Sequence, residues 1–397
     1  MTVVAEPAPS APDAGRERRR EALALSGWGR PLKLVQPGNP CFWVFLGLTV
    51  WGFIQMWKQW TNVDVSPATT ISAVVLLGLY GVALALIFLN VDRYARQPSR
   101  LLAAAFLWGG VAATFGIAIG ANDALSGIYG KLFGHAFVTD WWAALSAPFV
   151  EESAKAAGFL LLLGLAPNRI RSVCDALLVG AFLGLGFEIL EDLLYTFNAA
   201  IGAAGSDQVG AAIQMVIIRS ATGLFSHALY TALFCAGLIY VIGTPALARK
   251  TGRGIFLMAA AVIAHAVWDG AGAIADGSPL TIAVSTVIVV AGLAVFVYVF
   301  RRAVPQERAW MHDVLAPEES DGTLTSAELE AAAGTRRQRK SFVKAPEGKK
   351  TRKGRRGRRR LIKAVDDLAH SLAESGGDDS PAVDAARGRV ATLRAAT

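Results

Sequence analysis

Eight blocks of mostly apolar residues, each near the length that crosses a bilayer, fill the middle of the chain, and polar stretches close both ends. They fall roughly at 41–57, 69–90, 101–121, 142–165, 173–197, 219–243, 254–274 and 281–300. A helix needs about 20 such residues to span the hydrocarbon core, where only internally hydrogen-bonded backbone is tolerated. The pattern predicts an all-α, polytopic membrane helix bundle of about eight transmembrane helices over 41–300. A disordered N-terminal tail over 1–40 and a basic, partly disordered tail over 301–397 are expected to flank it.

Composition sharpens this. Of 397 residues, 53% are hydrophobic and only 18% charged, a balance that excludes an ordinary soluble enzyme. Cys41, Cys174 and Cys235 are far apart and form no CxxC pair. They support neither a disulfide framework nor a cysteine metal site. The net charge of +8 is local: between Arg336 and Lys363 there are 15 Lys and Arg against one acid, Glu347, and the remaining 24 bases and 30 acids leave −6. That run lacks the aromatic interleaving that supports base stacking, so it is expected to touch anionic lipid headgroups rather than nucleic acid. Thr325 and Glu328 have capping-box spacing and predict a helix to about Arg339.

Loop charge sets the expected orientation. Arg93, Arg96 and Arg100, then Arg169 and Arg171, then Arg249, Lys250 and Arg253 put eight bases on one side. The other side offers Lys58 and Lys131, with Arg219 at a span edge. The richer side is expected to be cytoplasmic, and an even number of spans places both termini there.

The chemistry lies in ionisable residues where lipid should be. The fourth span carries Glu151, Glu152 and Lys155, and the fifth Glu188, Glu191 and Asp192 with Tyr195. The sixth has His227, and the seventh His265 and Asp269. Six acids and one lysine at mid-helix would cost about 17–25 kcal/mol as an upper bound on insertion scales, a load that packing does not require. One lysine cannot offset six acids; the rest must be protonated, hydrated or cation-bound. Helical spacing sets Lys155 over both glutamates, puts Glu188, Glu191 and Tyr195 on one face, and places Asp269 one turn from His265. Counted from the span ends at about 1.5 Å per residue, the polar groups of all four spans reach the outer half of the bilayer, where one site can form.

No HExxH, GxSxG or GxxxxGK sequence occurs, which removes the corresponding zinc-peptidase, nucleophile-elbow and phosphate-loop chemistries. Ser226 and His227 point about 100° apart on a helix and make a poor nucleophile–base pair. His135 reads as an exposed loop residue. Two routes to an activated water stay open. A glutamate could act as general base while a second acid polarises the carbonyl. Alternatively, His227, His265 and a glutamate such as Glu191 could hold Zn2+ in an open three-ligand site, with another glutamate as base.

Glu151-Glu152-x-x-Lys155, Phe187-x-x-x-Glu191 with Tyr195 a turn later, His227 alone on its helix, and His265-x-x-x-Asp269 follow in that order on successive helices. This resembles the PrsW-type intramembrane proteases, within the wider superfamily of CAAX-processing and Abi-like membrane proteases. The resemblance covers about residues 41–300, best between 145 and 272. It implies a peptide-bond hydrolase of a bacterial cell membrane that cuts a single-span membrane protein near its extracytoplasmic boundary, as in regulated proteolysis of an anti-sigma factor. By the match, Glu151, Glu152 and Lys155 form the first catalytic motif, Glu191 the second, and His227, His265 and Asp269 the rest of a glutamic- or metallo-type centre. Glu188 and Asp192 depart from the family pattern, which has a small or apolar residue and an amide there. A non-catalytic membrane scaffold, as a related gamma-secretase subunit is, and an ion-coupled transporter are the alternatives. The one-sided depth of the polar groups and the lack of a clear internal repeat weigh against the transporter.

Overall fold

The computed structural model describes residues 11–61, 63–344 and 352–396. It divides into two units, one of residues 32–93 and 97–302 and the other of 1–31, 94–96 and 303–397. Every regular element among the described residues is helical; the single β-bridge pairs Thr244 with Leu247 in a loop.

Helix α1 (Ala11–Ser26) belongs to the second unit. The membrane unit opens with α2 (Pro40–Thr61) and α3 (Pro67–Val91), the latter started by Ser66, whose hydroxyl accepts from the Thr69 amide, and by Pro67, whose missing N–H costs nothing there. One long segment follows: α4 (Ser99–Leu107), a π-helical stretch (Trp108–Ala118) and α5 (Ile119–Phe133). Then come α6 (His135–Leu165) and α7 (Val173–Gly202), which begins with a capping box between Ser172 and Asp175. The unit continues through α8 (Gln208–Thr222), α9 (Ser226–Ile242), α10 (Thr251–Asp269) and α11 (Ala271–Ile274). Its last helix, α12 (Leu280–Ser320), passes from the membrane unit into the second unit after Arg302.

Seven of these segments are long and apolar enough to cross a membrane, so the chain is a multi-pass, all-α membrane protein. The eighth expected span is α6. Its 31 residues suffice in length, but every 18-residue stretch holds at least three of Asp140, Glu151, Glu152 and Lys155. The expected span edges at 121 and 142 also move, because helical hydrogen bonding continues past the apolar run. α5 reaches Phe133, and Gly134, at a φ of 86° open to glycine, turns the chain directly into α6. The span expected at 219–243 is two helices. Gly223–Phe225 interrupts it, with Phe225 in the left-handed region at φ 66°, and His227 becomes the second residue of α9.

α7 is the central helix: 83% of its apolar window is buried, against 11% for α2 and 22% for α12. It packs on α9, α8, α4 and α3. Small residues permit that closeness. A Cβ at Gly184 would run into the His227 carbonyl, so glycine lets α7 meet α9 at the level of the histidine. Trp108 is fully buried, donates its indole N–H to the Ala154 carbonyl at 2.9 Å, and fills the space a Cβ at Gly158 would need. That fixes α6 beside the π-helical stretch.

Among the described residues, the second unit is helical over much of the two expected tails. Beyond α1 and the end of α12 it contains α13 (Ser326–Ala333), α14 (Arg336–Lys344), α15 (Arg352–Glu374) and α16 (Pro381–Ala395). Residues 1–10 of the expected N-terminal tail and 345–351 of the basic run lie outside the described residues. Charge density pointed to disorder, but Leu361, Val365, Leu368 and Leu372 recur at helical spacing and are buried. Arg19 is buried too, with Nε on the Val314 carbonyl at 2.8 Å and Nη2 on Glu318 at 2.9 Å. The capping box at Thr325 and Glu328 is formed, but its helix stops at Gly334 instead of Arg339.

Glu328 ties α13 to α16. Arg394 reaches its two oxygens at 2.8 and 2.6 Å. Burial alone would raise this carboxyl, but the Arg394 hydrogen bonds and the Thr325 amide hold it below the ordinary glutamate value of 4.5. A carboxyl lowered on folding contributes stability above its unfolded value, and that contribution is lost as pH falls through the folded value. Acidification below about pH 4.5 is therefore expected to loosen α16 from α13. Amide hydrogen exchange over 381–395 should accelerate there, and much less so in Glu328→Gln, which has lost this titration.

Candidate active site

The site is built where α6, α7, α9 and α10 meet. Pro148 sits inside α6 one turn before Glu151, and its missing N–H leaves the helix short of one hydrogen bond next to the acidic pair. Helical spacing then delivers what it promised. The Lys155 ammonium, fully buried, lies 2.9 Å from Glu152 Oε1 and 3.4 Å from Glu151 Oε2. It is also 3.1 Å from His227 Nδ1 and 3.8 Å from the centre of the Phe187 ring.

Both histidines close on the same carboxylate. Glu151 Oε2 is 3.8 Å from His227 Nδ1 and 3.6 Å from His265 Nε2. The two imidazoles meet edge to face, with centroids 4.8 Å apart at 84°, and Tyr230 stacks on His265 at 5.4 Å. Glu152 accepts the Thr231 hydroxyl at 2.9 Å and lies 3.2 Å from His265 Nδ1, though not in line for a hydrogen bond. Glu191 Oε2 is 3.1 Å from His227 Nε2. Asp269 Oδ2 is 3.6 Å from His265 Nε2. Glu151, Glu152, Lys155, Glu191, His227, His265 and Asp269 thus form one connected centre.

Other expected neighbours are elsewhere. Glu188 shares an ideal helix face with Glu191 but turns to α3, accepting the Tyr80 hydroxyl at 2.8 Å and the Ala228 amide at 3.4 Å. Tyr195 is 45% exposed and is covered by the Arg219 guanidinium at 4.2 Å. His135 is exposed at the start of α6.

Arg219 is the residue that sequence reasoning left at a span edge. It bonds Glu191 at 2.6 Å and Asp192 at 2.5 Å, and sits 5.1 Å from the Trp268 ring. Asn122 on α5 donates to Glu151 at 3.3 Å. Arg219 was discoverable as a base bordering an acid-rich set of spans; Asn122, Thr231 and Tyr80 carry no charge and gave no signal. The two histidines anticipated as metal donors lie beside a glutamate. The described residues whose donor atoms lie within 4.8 Å of one another are Glu151, His227 and His265, whereas Glu191 already engages Arg219 and His227. The set suits a cation: Glu151 and His227 already contact the Lys155 ammonium, and both ring nitrogens of His265 are buried without a hydrogen bond.

Carboxylates, imidazoles and a lysine buried together inside a bundle of membrane helices are groups able to activate a water and move its proton. Residues 97–300, just over half of the chain, match the model of the PrsW family of intramembrane metalloproteases, and the chain belongs to that family. It is a membrane peptidase. No curated protein and no solved structure matched it.

Proposed function

We propose that this chain is an endopeptidase that cuts a single-span, membrane-anchored protein near its extracytoplasmic boundary, with Zn2+ or a similar ion held by Glu151, His227 and His265. The observation that carries this reading is a convergence. Three helices bring those donors together, and the buried polar atoms beside them that lack a hydrogen bond include both His265 nitrogens, Asp269 Oδ2 and the Tyr230 hydroxyl. Two imidazoles and a carboxylate form an open zinc donor set. Glu151, Glu152, Glu191, Asp192 and Asp269 against Lys155 and Arg219 leave a formal charge of −3 if all are ionised, which a divalent cation offsets. When bound, such an ion supplies polarisation of the scissile carbonyl or of an attacking water.

The chain's own groups have separable tasks. Glu191, anchored by Arg219, holds His227 through Nε2 and so turns Nδ1 toward Glu151. Glu152, pinned by Lys155 and Thr231, steadies the His265 ring. Asp269 keeps a buried oxygen unengaged and 12% of its side chain open. It is the carboxylate we assign to take the proton of the attacking water and return it to the leaving amine.

A cavity of about 540 Å³ supports the outer-boundary assignment; Trp51, Gln55, Lys58, Gly120 and Asn198 are among its walls. Gly120 lies two residues before Asn122, which contacts Glu151, and Asn198 lies seven residues, about 10 Å, beyond Glu191 on α7. Lys58 lies in the last turn of α2, at the end that charge balance assigns to the outer side. The cavity would receive the substrate's juxtamembrane segment. A Cβ at Gly120 meets open space, so Gly120→Trp starts without a backbone clash and should place its indole in the cavity. We expect kcat/KM for a membrane-anchored substrate to fall on the order of tenfold, about 1.4 kcal/mol, with cleavage of a short peptide unchanged. Equal loss on both substrates would remove the cavity from the argument.

The function itself is tested by a survey of new protein N-termini in membranes, comparing wild type with Asp269→Asn at equal expression. Termini near the outer ends of single-span proteins, present only with wild type, are expected; an anti-sigma-factor-like protein among them would establish regulated proteolysis. An unchanged survey under several envelope stresses would favour a non-catalytic scaffold.

A further inference from the structure

The second unit carries a charge distribution that peptide cleavage does not use. On α15, Lys353, Arg355, Arg356, Arg359, Arg360 and Lys363 are all exposed. At about 100° per residue they occupy a little under half of the helix circumference. The opposite arc, including Leu361, Val365, Leu368 and Leu372, is buried. Nearby bases that turn inward have partners: Arg358 Nε donates to the Val343 carbonyl at 3.0 Å, and Arg339 reaches both oxygens of Asp366 at 3.2 and 2.6 Å. α14, packed on α15, adds Arg337, Lys340 and Lys344 to the exposed bases. Among the described residues, none of these nine outward bases is in an ion pair.

We propose that this face docks on the anionic headgroups of a bilayer and holds the folded unit to the membrane surface by charge alone. Lysine and arginine at this density match a phosphate-bearing surface. The apolar arc of α15 is already spent on packing within its own unit, so the helix cannot insert as an interfacial amphipathic helix does. The unit's last segment begins at Ala303, directly after the last span, which keeps a bilayer within reach of the chain at high effective concentration. No aromatic residue lies between 353 and 363 to stack on bases, which disfavours a nucleic acid as occupant. Attachment of this kind grows with the fraction of anionic lipid and is screened by salt.

The test uses the full-length protein in lipid nanodiscs, either neutral or with about one-third phosphatidylglycerol. Lys353 and Lys363 are labelled with a water-soluble amine reagent and read by mass spectrometry. Labelling is expected to slow roughly fivefold in anionic discs and to recover in about 0.5 M salt. Equal labelling in the two discs would overturn the proposal. Protection by added duplex DNA in neutral discs, with none from anionic lipid, would overturn it in favour of a nucleic-acid surface. A second arm replaces Arg355, Arg356, Arg359 and Arg360 with glutamine, leaving both reporter lysines and the buried arc intact. Its labelling in anionic discs should return to the neutral-disc rate, and undiminished protection would count against the assigned face.

Discussion

His265→Ala is expected to lower peptide cleavage by roughly 10²–10⁴-fold, the range associated with removing a proton-transfer or charge-stabilising group, and to empty the centre of metal. His265 is fully buried and lies within 3.6 Å of Glu151, Glu152 and Asp269, so its loss removes one donor of three and the imidazole that these three carboxylates surround. A simple packing defect would also cost activity, and the readouts must separate the two. In the purified protein, His265→Ala and His227→Ala should each lose bound metal together with cleavage. Asp269→Asn should lose cleavage and keep the metal, because its carboxylate is assigned to the proton and not to the ion. Cleavage retained by His265→Ala would sink the catalytic reading of this site. Metal retained by both histidine variants would sink the donor set while leaving a glutamic mechanism in place.

The legibility of this centre follows from the cost of burying charge. Glu151, Glu152, Lys155, Glu191 and Asp269 stood out because an ionisable group in an apolar run is expensive, and their helical spacing then told which could meet. His227 and His265 followed from depth. Arg219 did not stand out, because the expected span began at that residue and left the rest of α8 unassigned. Only the break at Gly223–Phe225 sets α8 apart as a helix that brings the guanidinium to Glu191 and Asp192. Glu188 misled for a related reason. Residues three apart share a face on an isolated helix, but α7 is surrounded, and Glu188 and Glu191 find different neighbours, Tyr80 and His227. Asn122 and Thr231 carry no charge and so no warning. In the second unit, net charge hid an ordered helix because the bases of α15 are segregated on one face, a property that composition does not measure.

The same accounting of charge predicts the behaviour of Lys155→Met. Methionine preserves most of the buried aliphatic stem and offers the Phe187 ring a thioether where the ammonium now lies, so little volume is lost. What disappears is an ammonium shared by Glu152 at 2.9 Å, His227 at 3.1 Å and Glu151 at 3.4 Å. Removing one member of a buried ionic cluster leaves the others uncompensated and typically costs about 3–5 kcal/mol. Thermal unfolding in detergent micelles without metal should show that loss. Added Zn2+ should then stabilise Lys155→Met more than it stabilises the wild type. Binding to the native state alone stabilises in proportion to RT ln(1 + [L]/Kd), and the variant offers Glu151 and His227 without a competing ammonium. A Lys155→Met protein as stable as wild type in the absence of metal would mean that the lysine offsets no carboxylate charge in the fold. An equal response of the two proteins to Zn2+ would mean that the ion and the ammonium do not compete for the Glu151–His227 donors, and Lys155 would then have to act on Glu152 alone.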